Sequence, residues 1–292
     1  MKALWLVSFR PIGKSKINDS YQSSFVDSIK KLNFDITLSL TQFDEQNVEN
    51  FIKKKEIKNF YVNIPKKELP NNKKYSNKIM LDNALDQFIK EDGFEYLIYS
   101  TADIIVPKNL FKILLKVKDD RFCAFVYPNT HILNGVIKSN YWPHYGIDLI
   151  IFKISKDKAI EFKKIIQSYN QYDWGINENF YIAASEALGL KRHNLFKYCK
   201  VLKFDNDLEA FTENRNWQIN SWKENKVYLL NFLSENNLSK FYAHGSYYYL
   251  LFKILNFRDL NLNLFLAYII FYPYNLFKKI TNFFKKKLIK SN

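Results

Sequence analysis

The amino-acid sequence predicts an α/β fold, with a mostly parallel sheet flanked by helices. Strand-type and helix-type apolar patterns alternate through the first half of the chain, as a parallel sheet with crossover helices requires. The 292 residues are 47% hydrophobic and 17% aromatic, a composition that buries a large core and is unlike that of a disordered chain. The sequence therefore specifies one large folded domain, with room for an appended segment.

The N-terminal part contains three predicted strands with helices between them. The first strand, Ala3 to Phe9, is apolar apart from Ser8, and Pro11 and Gly13 mark the loop that follows it. In the second strand apolar residues alternate with polar ones, which is the period of a strand with one exposed face. The third strand ends at a proline. The residues that define these elements are Phe25, Ile29 and Leu32 in the first helix, Ile36, Leu38 and Leu40 in the second strand, Val48, Phe51 and Ile52 in the second helix, and Phe60 to Ile64 in the third strand.

The alternation continues through the middle of the chain. A charged loop precedes an apolar helix that ends near Gly93, and Tyr96 to Tyr99 then form a buried strand. Pro107 begins the next helix, because proline is favoured in a first helical turn. Further strands are predicted at Phe122 to Tyr127, Leu149 to Phe152 and Tyr198 to Phe204, and further helices at Lys156 to Ser168 and Asn179 to Leu188.

Charge and cysteine content restrict the class of protein. Lys and Arg number 44 against 29 Asp and Glu, and the net charge of +15 predicts attraction to polyanions such as nucleic acid, anionic lipid or nucleoside diphosphates. Cys123 and Cys199 form no CxxC pair, and no leader-type segment is recognised, so we expect a reducing, cytoplasmic compartment. The longest apolar stretch, Leu264 to Tyr272, is too short to span a bilayer, so any membrane contact is expected to be peripheral.

The strand at Tyr96 to Tyr99 leads directly into a candidate ligand site. Asp103 lies just beyond its end, and ligands of α/β sheets bind beyond the carboxyl ends of strands. A carboxylate there suits a divalent cation that bridges a diphosphate, because Mg²⁺ and Mn²⁺ use one or two carboxylates together with phosphate oxygens and water. The alternative is that Asp103 only caps the turn before the Pro107 helix.

This segment resembles the GT-A glycosyltransferases, particularly the family-2-like group. In those enzymes a Lys or Arg and an Asn-Ala pair on a helix precede an apolar strand that ends in Asp-x-Asp, and a helix opened by proline follows. The resemblance covers roughly residues 1–190 in element order and is sharp between Lys78 and Leu110. It implies a GT-A-type fold, a nucleoside-diphosphate sugar as donor, and Mn²⁺ or Mg²⁺. The implied donor-binding residues are Arg10, Lys78, Asn83, Thr101, which replaces the first Asp of the motif, and Asp103, which matches the metal-binding second one.

Two acidic segments are candidates for the acceptor side of such an enzyme. Asp148 stands at the entrance of an apolar strand, where GT-A enzymes commonly place an acceptor-binding segment; there it could orient an acceptor hydroxyl or simply pair with a lysine. By resemblance, Glu178 at a helix start is the carboxylate base of an inverting enzyme, with Asp173 as its substitute. A carboxylate in the first helical turn also stabilises the helix dipole without any catalytic role.

His244 is the histidine candidate for the metal site. Several GT-A families complete that site with a histidine from the C-terminal region, and Gly245 beside it would let the loop close over the diphosphate. A histidine among aromatic residues also serves as a structural hydrogen-bonding group, and this alternative stays open.

The predicted domain covers 1–255, with a nucleotide-sugar-binding half at 1–120 and an acceptor-binding half at 121–255. The remaining segment, 256–292, is basic and aromatic: from Asn261 onward it holds six lysines and no acidic residue. After Pro273, apolar residues recur at helical spacing, which predicts a helical amphipathic extension lying on an anionic membrane or docked on the core. Those residues are Phe277, Ile280, Phe284 and Leu288.

The function predicted is transfer of a sugar from a nucleoside-diphosphate sugar to a hydroxyl of a cell-surface glycan or lipid-linked acceptor, at the inner face of the cytoplasmic membrane. Nucleic acid is not an expected partner, because the lysines are dispersed and no recognition pattern accompanies them. P-loop, dinucleotide-binding, GxSxG and HExxH motifs are absent from the sequence. One alternative is a sugar-phosphate nucleotidyltransferase, whose basic Gly-rich loop is weakly matched by residues 10–14. The other is a non-catalytic glycan- or membrane-binding protein, which the threonine at 101 leaves open.

Overall fold

The computed structural model describes residues 2–41, 47–63, 77–126, 131–133, 136–138, 147–168, 177–195, 198–204 and 215–238. Its strands are β1 (Lys2–Ser8), β2 (Asp35–Thr41), β3 (Phe60–Asn63), β4 (Phe94–Thr101), β5 (Ile104–Ile105), β6 (Phe122–Val126), β7 (His131–Leu133), β8 (Val136–Lys138), β9 (Leu149–Lys153), β10 (Lys191–Asn194) and β11 (Leu202–Lys203). Its helices are α1 (Lys16–Ile29), α2 (Val48–Lys54), α3 (Asn77–Lys90), α4 (Leu110–Leu114), α5 (Lys156–Ser168), α6 (Asn177–Ala187) and α7 (Arg215–Glu235).

A seven-stranded sheet in the order β10-β6-β9-β4-β1-β2-β3 forms the centre of the fold. Neighbouring strands are parallel except at β9, which runs antiparallel to both β4 and β6. The connections between parallel strands carry helices, as such connections must. The predicted α/β class with a mostly parallel sheet flanked by helices is confirmed.

The central strands β1, β4, β6 and β9 are buried on both faces of this sheet, and their sequences are accordingly almost continuous apolar runs. Successive side chains of a strand point to opposite faces, so Leu97 and Tyr99 of β4 pack with α3, α5, α6 and α7. Tyr96 and Ile98 of the same strand pack with α1, α2 and α4 on the other face. The two apolar layers hold β4 and its carboxyl end in place from both sides.

The strand β2 differs from the sequence prediction of one exposed face. Its polar residues Thr37 and Ser39 are buried, because β2 lies inside the sheet between β1 and β3. Ser39 Oγ donates a hydrogen bond of 2.6 Å to Gln87 Oε1 on α3, which satisfies the buried hydroxyl. The alternation of polar and apolar residues here reflects an internal hydrogen bond rather than contact with water.

A second, four-stranded sheet in the order β5-β11-β7-β8 lies beside the carboxyl end of β4. The strand predicted over Tyr198 to Phe204 is only two residues long in the structure. The chain turns at Cys199, where the Cys199 amide donates a hydrogen bond to Leu195 O at 2.7 Å. The antiparallel register of β11 and β5 sets Lys203 opposite Ile104. This short sheet therefore brings Lys203 next to Asp103.

Five described elements carry no prediction from the sequence: β5, β7, β8, β10 and α7. The strand β10 has the polar sequence KRHN, which lacks the apolar pattern by which strands are recognised, and it is an edge strand. The helix α7 contributes Leu229 and Leu233 to the core. Within the described ranges, no helix combines the length and the apolar character that crossing a bilayer requires. The predicted tail at 256–292 lies outside those ranges, and the division at 120 and 255 stays a prediction.

Candidate active site

The candidate site lies where β4 ends and β9 begins. Because these strands are antiparallel, Thr101 at the end of β4 and Asp148 before the start of β9 share one edge of the sheet. The Thr101 amide donates a hydrogen bond to Asp148 O at 3.2 Å, and Thr101 Oγ1 donates to Asp148 Oδ1 at 3.4 Å. The residue that replaces the first Asp of the family motif thus positions a second carboxylate.

Asp103 is held at the same edge by main-chain contacts. The Phe204 amide donates to Asp103 O at 2.9 Å, and the ring of Phe204 stacks on Tyr21 of α1 with centroids 4.2 Å apart. The Val106 amide donates to Ser28 Oγ at 3.1 Å, which joins the segment after Asp103 to the same helix. The turn that carries Asp103 is therefore fixed by α1 on one side and β11 on the other.

Lys203 connects the two aspartates. Its Nζ donates to Asp148 Oδ1 at 2.7 Å and lies 3.8 Å from Asp103 Oδ2, while its side chain is only 9% exposed. A buried ammonium needs such partners, because an unpaired charge in a protein interior is strongly unfavourable. The sequence alone did not single out Lys203. The available signal was a lysine between Leu202 and Phe204 in a predicted strand.

Arg10, in the loop after β1, is the second cation at Asp103. Its Nη2 lies 3.7 Å from Asp103 Oδ2, and its Nη1 donates to Asn18 Oδ1 of α1 at 3.3 Å. The Arg10 amide donates to Gln22 Oε1 at 2.7 Å. Gly13 allows the loop to turn back, since its φ of 85° lies in the left-handed region that favours glycine. The Arg10 side chain is 35% exposed, so it can also meet a ligand from solvent.

Asp103 keeps one carboxylate oxygen outside these ion pairs. Arg10 and Lys203 both approach Oδ2, whereas Oδ1 is buried and has no hydrogen-bond partner among the described residues. A buried acceptor of this kind is uncommon in folded proteins. It is available to a hydroxyl or cation of a bound ligand.

Glu178 lies in the first turn of α6 and faces the same cluster. Tyr99 OH, buried in β4, donates to Glu178 Oε1 at 3.2 Å. Burial raises the pKa of the Glu178 carboxyl to about 7, and the negative charge of Asp148 adds to this effect, whereas the Tyr99 hydrogen bond and the Lys203 charge oppose it. Burial also raises the pKa of Tyr99 well above its usual value, so Tyr99 remains a hydrogen-bond donor. A carboxyl group with a pKa near neutrality can take up or release a proton at physiological pH.

The structure brings together five of the residues that the sequence singled out: Arg10, Thr101, Asp103, Asp148 and Glu178. Asn83 lies partly buried on α3, and Lys78 belongs to the same helix with a side chain outside the described part. Asp173 and His244 lie outside the described residues. Asp148 does pair with a lysine, as the alternative proposed, and that lysine belongs to the site.

The donor set at this edge fits a cationic side chain better than a hydrated metal ion. Among the described residues, no three His, Cys, Asp or Glu side chains are grouped to hold a metal. The ammonium of Lys203 lies within 4 Å of both Asp103 and Asp148, in the space that a cation bound by the two carboxylates would need. Mn²⁺ or Mg²⁺ binding at Asp103 stays a prediction, with Lys203 as its competitor.

No protein-family model matches the chain, and no curated protein matches it in sequence. Among solved structures, S. aureus TarS 1-349 in complex with UDP-GlcNAc is similar, with a TM-score of 0.52 and 12% identity over 88% of this chain and 73% of that chain. A longer S. aureus TarS chain gives a TM-score of 0.48 and 11% identity over 90% of this chain and 44% of that chain. The inositol-1-phosphate CTP transferase from T. maritima gives a TM-score of 0.41 and 11% identity over 76% of this chain and 96% of that chain. The likeness to TarS 1-349 supports the GT-A-like fold that the sequence predicted, and at this identity it shows the fold alone.

Proposed function

We propose that the protein is a glycosyltransferase that moves a sugar from a nucleoside-diphosphate sugar to a hydroxyl of a glycan or lipid-linked acceptor. The observation that carries this proposal is the partly buried Glu178 carboxyl, hydrogen-bonded by Tyr99 and with a pKa raised to about 7, beside the Asp103 cluster at the carboxyl edge of the sheet. A protein of similar fold, S. aureus TarS 1-349, crystallises with UDP-GlcNAc, which supports a nucleotide sugar as donor.

In this reaction Glu178 acts as the general base. As the acceptor oxygen attacks the anomeric carbon, its proton passes to the Glu178 carboxylate and a new C–O bond forms. The bond from the anomeric carbon to the phosphate oxygen breaks, and its electron pair leaves with the diphosphate. Tyr99 holds Glu178 Oε1 in place by its hydrogen bond of 3.2 Å. A base on the acceptor face favours inversion at the anomeric carbon.

Glu178 is a better base than Asp148, the other candidate carboxylate. Asp148 Oδ1 already accepts hydrogen bonds from Lys203 and Thr101, so this oxygen is engaged in holding the cluster together. Glu178 has a raised pKa and a proton affinity that matches neutral pH. We therefore assign Asp148 to positioning and Glu178 to proton transfer.

Arg10 is the residue best placed to bind the departing diphosphate. Its guanidinium borders Asp103 on the loop after β1 and remains partly exposed. Guanidinium groups bind phosphate oxygens with two parallel hydrogen bonds and stay charged at all working pH values. Positive charge at the bridging phosphate oxygen stabilises the negative charge that develops as the glycosidic bond breaks.

Incubation with a panel of nucleoside-diphosphate sugars is the direct test of this function. We expect one or a few donors to release nucleoside diphosphate, and release to increase when a glycan or lipid-linked acceptor is added. Coupled detection of the diphosphate measures the rate, and mass spectrometry of the acceptor identifies the added sugar. If no donor is turned over with any acceptor, the non-catalytic binding protein becomes the better description.

The second candidate is a sugar-phosphate nucleotidyltransferase. The loop after β1 supports it, because it contains Arg10 and the left-handed Gly13 and so weakly resembles the basic Gly-rich loop that follows the first strand in such enzymes. The same panel separates the two functions when a sugar phosphate and nucleoside triphosphates are included. Pyrophosphate release from that mixture, with no transfer from nucleotide sugars, would support the second candidate.

We further propose that the tail at 256–292 brings the enzyme to the inner face of the cytoplasmic membrane, where a lipid-linked acceptor is found. The six lysines from Asn261 onward can each contribute about 1 kcal/mol near an anionic surface. We expect the full chain to co-sediment with anionic vesicles at low salt, and deletion from Tyr274 onward to weaken this binding while donor hydrolysis persists. Neutral vesicles are the control, and equal sedimentation of the two forms would exclude the tail as the anchor.

A further inference from the structure

We infer that Lys203 supplies, at the donor diphosphate, the positive charge that a divalent cation supplies in metal-dependent enzymes, so that this protein binds nucleoside diphosphates without a metal. The inference rests on the proposed nucleotide-sugar donor and names the group that neutralises it. It also gives a function to Lys203, a buried lysine of the short second sheet that lies beside the carboxyl end of β4.

Lys203 occupies the space between the two aspartates, where a shared metal ion would bind. Its Nζ lies 2.7 Å from Asp148 Oδ1 and 3.8 Å from Asp103 Oδ2, beside the aspartate that follows β4. A metal ion shared by these carboxylates would require the same space, and like charges so close together repel strongly at low dielectric. The ammonium therefore excludes a divalent cation for as long as Lys203 remains charged and in place.

The number of available ligands supports the same inference. Mg²⁺ and Mn²⁺ need one or two carboxylates whose oxygens are not already held by other cations. Thr101 stands where a second carboxylate would be expected, and its hydroxyl is directed to Asp148. On Asp103, Oδ2 is shared by two cationic side chains, so a divalent cation bound at Oδ1 would lie close to two positive charges.

The fixed charge of the ammonium also supports this role. Its full positive charge acts on a nearby phosphate while the ammonium holds Asp148. The surrounding main-chain contacts keep it in position, since β11 pairs with β5 and Phe204 is bound to Asp103 O. Arg10 approaches Asp103 from the loop after β1, so two fixed cations border the place of the diphosphate. Fixed charges of this kind need no reorganisation as the leaving group departs.

Binding measurements on the full-length parent protein test the inference without any substitution. UDP, GDP, CDP and dTDP are titrated calorimetrically, each in EDTA and in excess MnCl₂, and Mn²⁺ alone is titrated by electron paramagnetic resonance. We expect one or more diphosphates to bind in EDTA with the same affinity as in MnCl₂, and Mn²⁺ to remain free. Binding of diphosphates only with MnCl₂, failure of all four to bind in EDTA, or tight Mn²⁺ binding would each overturn the inference.

The variant Lys203→Met then tests the residue, with Lys163→Met as the matched control. Lys163 is also a mostly buried lysine in an ion pair, with Asp86 between α5 and α3, and it lies apart from the cluster. We expect diphosphate affinity in EDTA to fall by about tenfold or more in Lys203→Met. We also expect this variant to bind Mn²⁺, because the two aspartates lose their shared cation. Lys163→Met should match the parent in diphosphate affinity and in Mn²⁺ binding. If Lys203→Met bound diphosphates in EDTA as tightly as the parent, the inference would be overturned.

The pH profile separates a charge effect from a merely structural one. The Lys203 charge lowers the pKa of Glu178, so its removal should move the acid limb of the transfer rate to higher pH. The two proposals also fail in different ways. A parent protein that binds diphosphates in EDTA but transfers no sugar contradicts the function alone, whereas transfer that needs Mn²⁺ contradicts the role of Lys203 alone.

Discussion

Replacement of Glu178 by glutamine should lower sugar transfer by about 10²–10⁴-fold, the usual contribution of a positioned general base. The amide keeps the shape of the side chain and the hydrogen bond from Tyr99 OH to the oxygen at position 178. It cannot accept the acceptor proton. Initial rates with the preferred donor and acceptor measure the effect, while donor affinity should change little.

The pH dependence of transfer by the parent protein provides the second readout for the same residue. A base works only when it is deprotonated, so activity should be low in acid and rise as pH increases through about 7, the pKa to which burial raises Glu178. The acid limb should vanish from the residual activity of Glu178→Gln. Glu186→Gln is the matched control, because Glu186 lies on the same helix but pairs with Arg192. Parent-like rates in Glu178→Gln would remove Glu178 from the mechanism.

Glu178→Gln should also be more stable than the parent at alkaline pH. The folded state raises the pKa of Glu178 from 4.5 to about 7, so its carboxyl favours folding below about pH 4.5 and this contribution is lost as pH rises to about 7. Above that range the buried charge costs at most about 3 kcal/mol, which glutamine does not incur. Urea unfolding at about pH 8 and about pH 5 measures the difference, which should be larger at the higher pH.

Replacement of Asp103 by asparagine should lower transfer by about 10²–10³-fold, similar to the loss of one electrostatic contact to a reacting group. Asparagine has the same size, but it no longer holds the charges of Arg10 and Lys203 beside the diphosphate. Steady-state rates over a range of donor concentrations should show a raised KM together with a lowered kcat.

Asp119→Asn is the control for this substitution. Asp119 forms an ion pair with Lys191 and a hydrogen bond with His193, each at 2.7 Å, but it precedes β6 and so lies at the opposite edge of the sheet. Its replacement should leave transfer unchanged, whatever it does to stability. Equal activity of Asp103→Asn and the parent would contradict a donor-binding role for Asp103.

The sequence was sufficient for those parts of the fold that depend on local pattern. The apolar run at Tyr96 to Tyr99 and the acidic residue beyond it place Asp103 at a carboxyl edge, because that relation follows from the strand itself. The position of Glu178 at the start of a helix was predicted for a similar reason and is confirmed, whereas its role as a base, implied by resemblance, stays a prediction. The position of β2 was predicted correctly, but the prediction that one of its faces is exposed was wrong. Burial depends on neighbouring strands and helices, which a single segment does not reveal.

The parts that sequence analysis missed depend on contacts between distant segments. Lys203 bonds to Asp148, 55 residues away, and its register against Ile104 arises from two-residue strands that leave almost no pattern. In a chain with 44 Lys and Arg residues, the sequence alone does not distinguish a buried lysine from an exposed one. The raised pKa of Glu178 likewise requires the burial and the nearby Asp148 charge that only the folded chain provides.

The reversed direction of β9 has a consequence for how the chain finds its correct pairing. A strand with one polar face resists a one-residue slip, because the slip would turn polar groups inward. The residues Leu149 to Phe152 are buried on both faces, so their own hydrophobicity accepts a slipped alignment almost as well as the correct one. Asp148 distinguishes the two, because only one alignment lets it meet Thr101 and Lys203. The contacts of Asp148 therefore form only in the correctly paired sheet, so correct strand pairing and assembly of the charged cluster depend on each other.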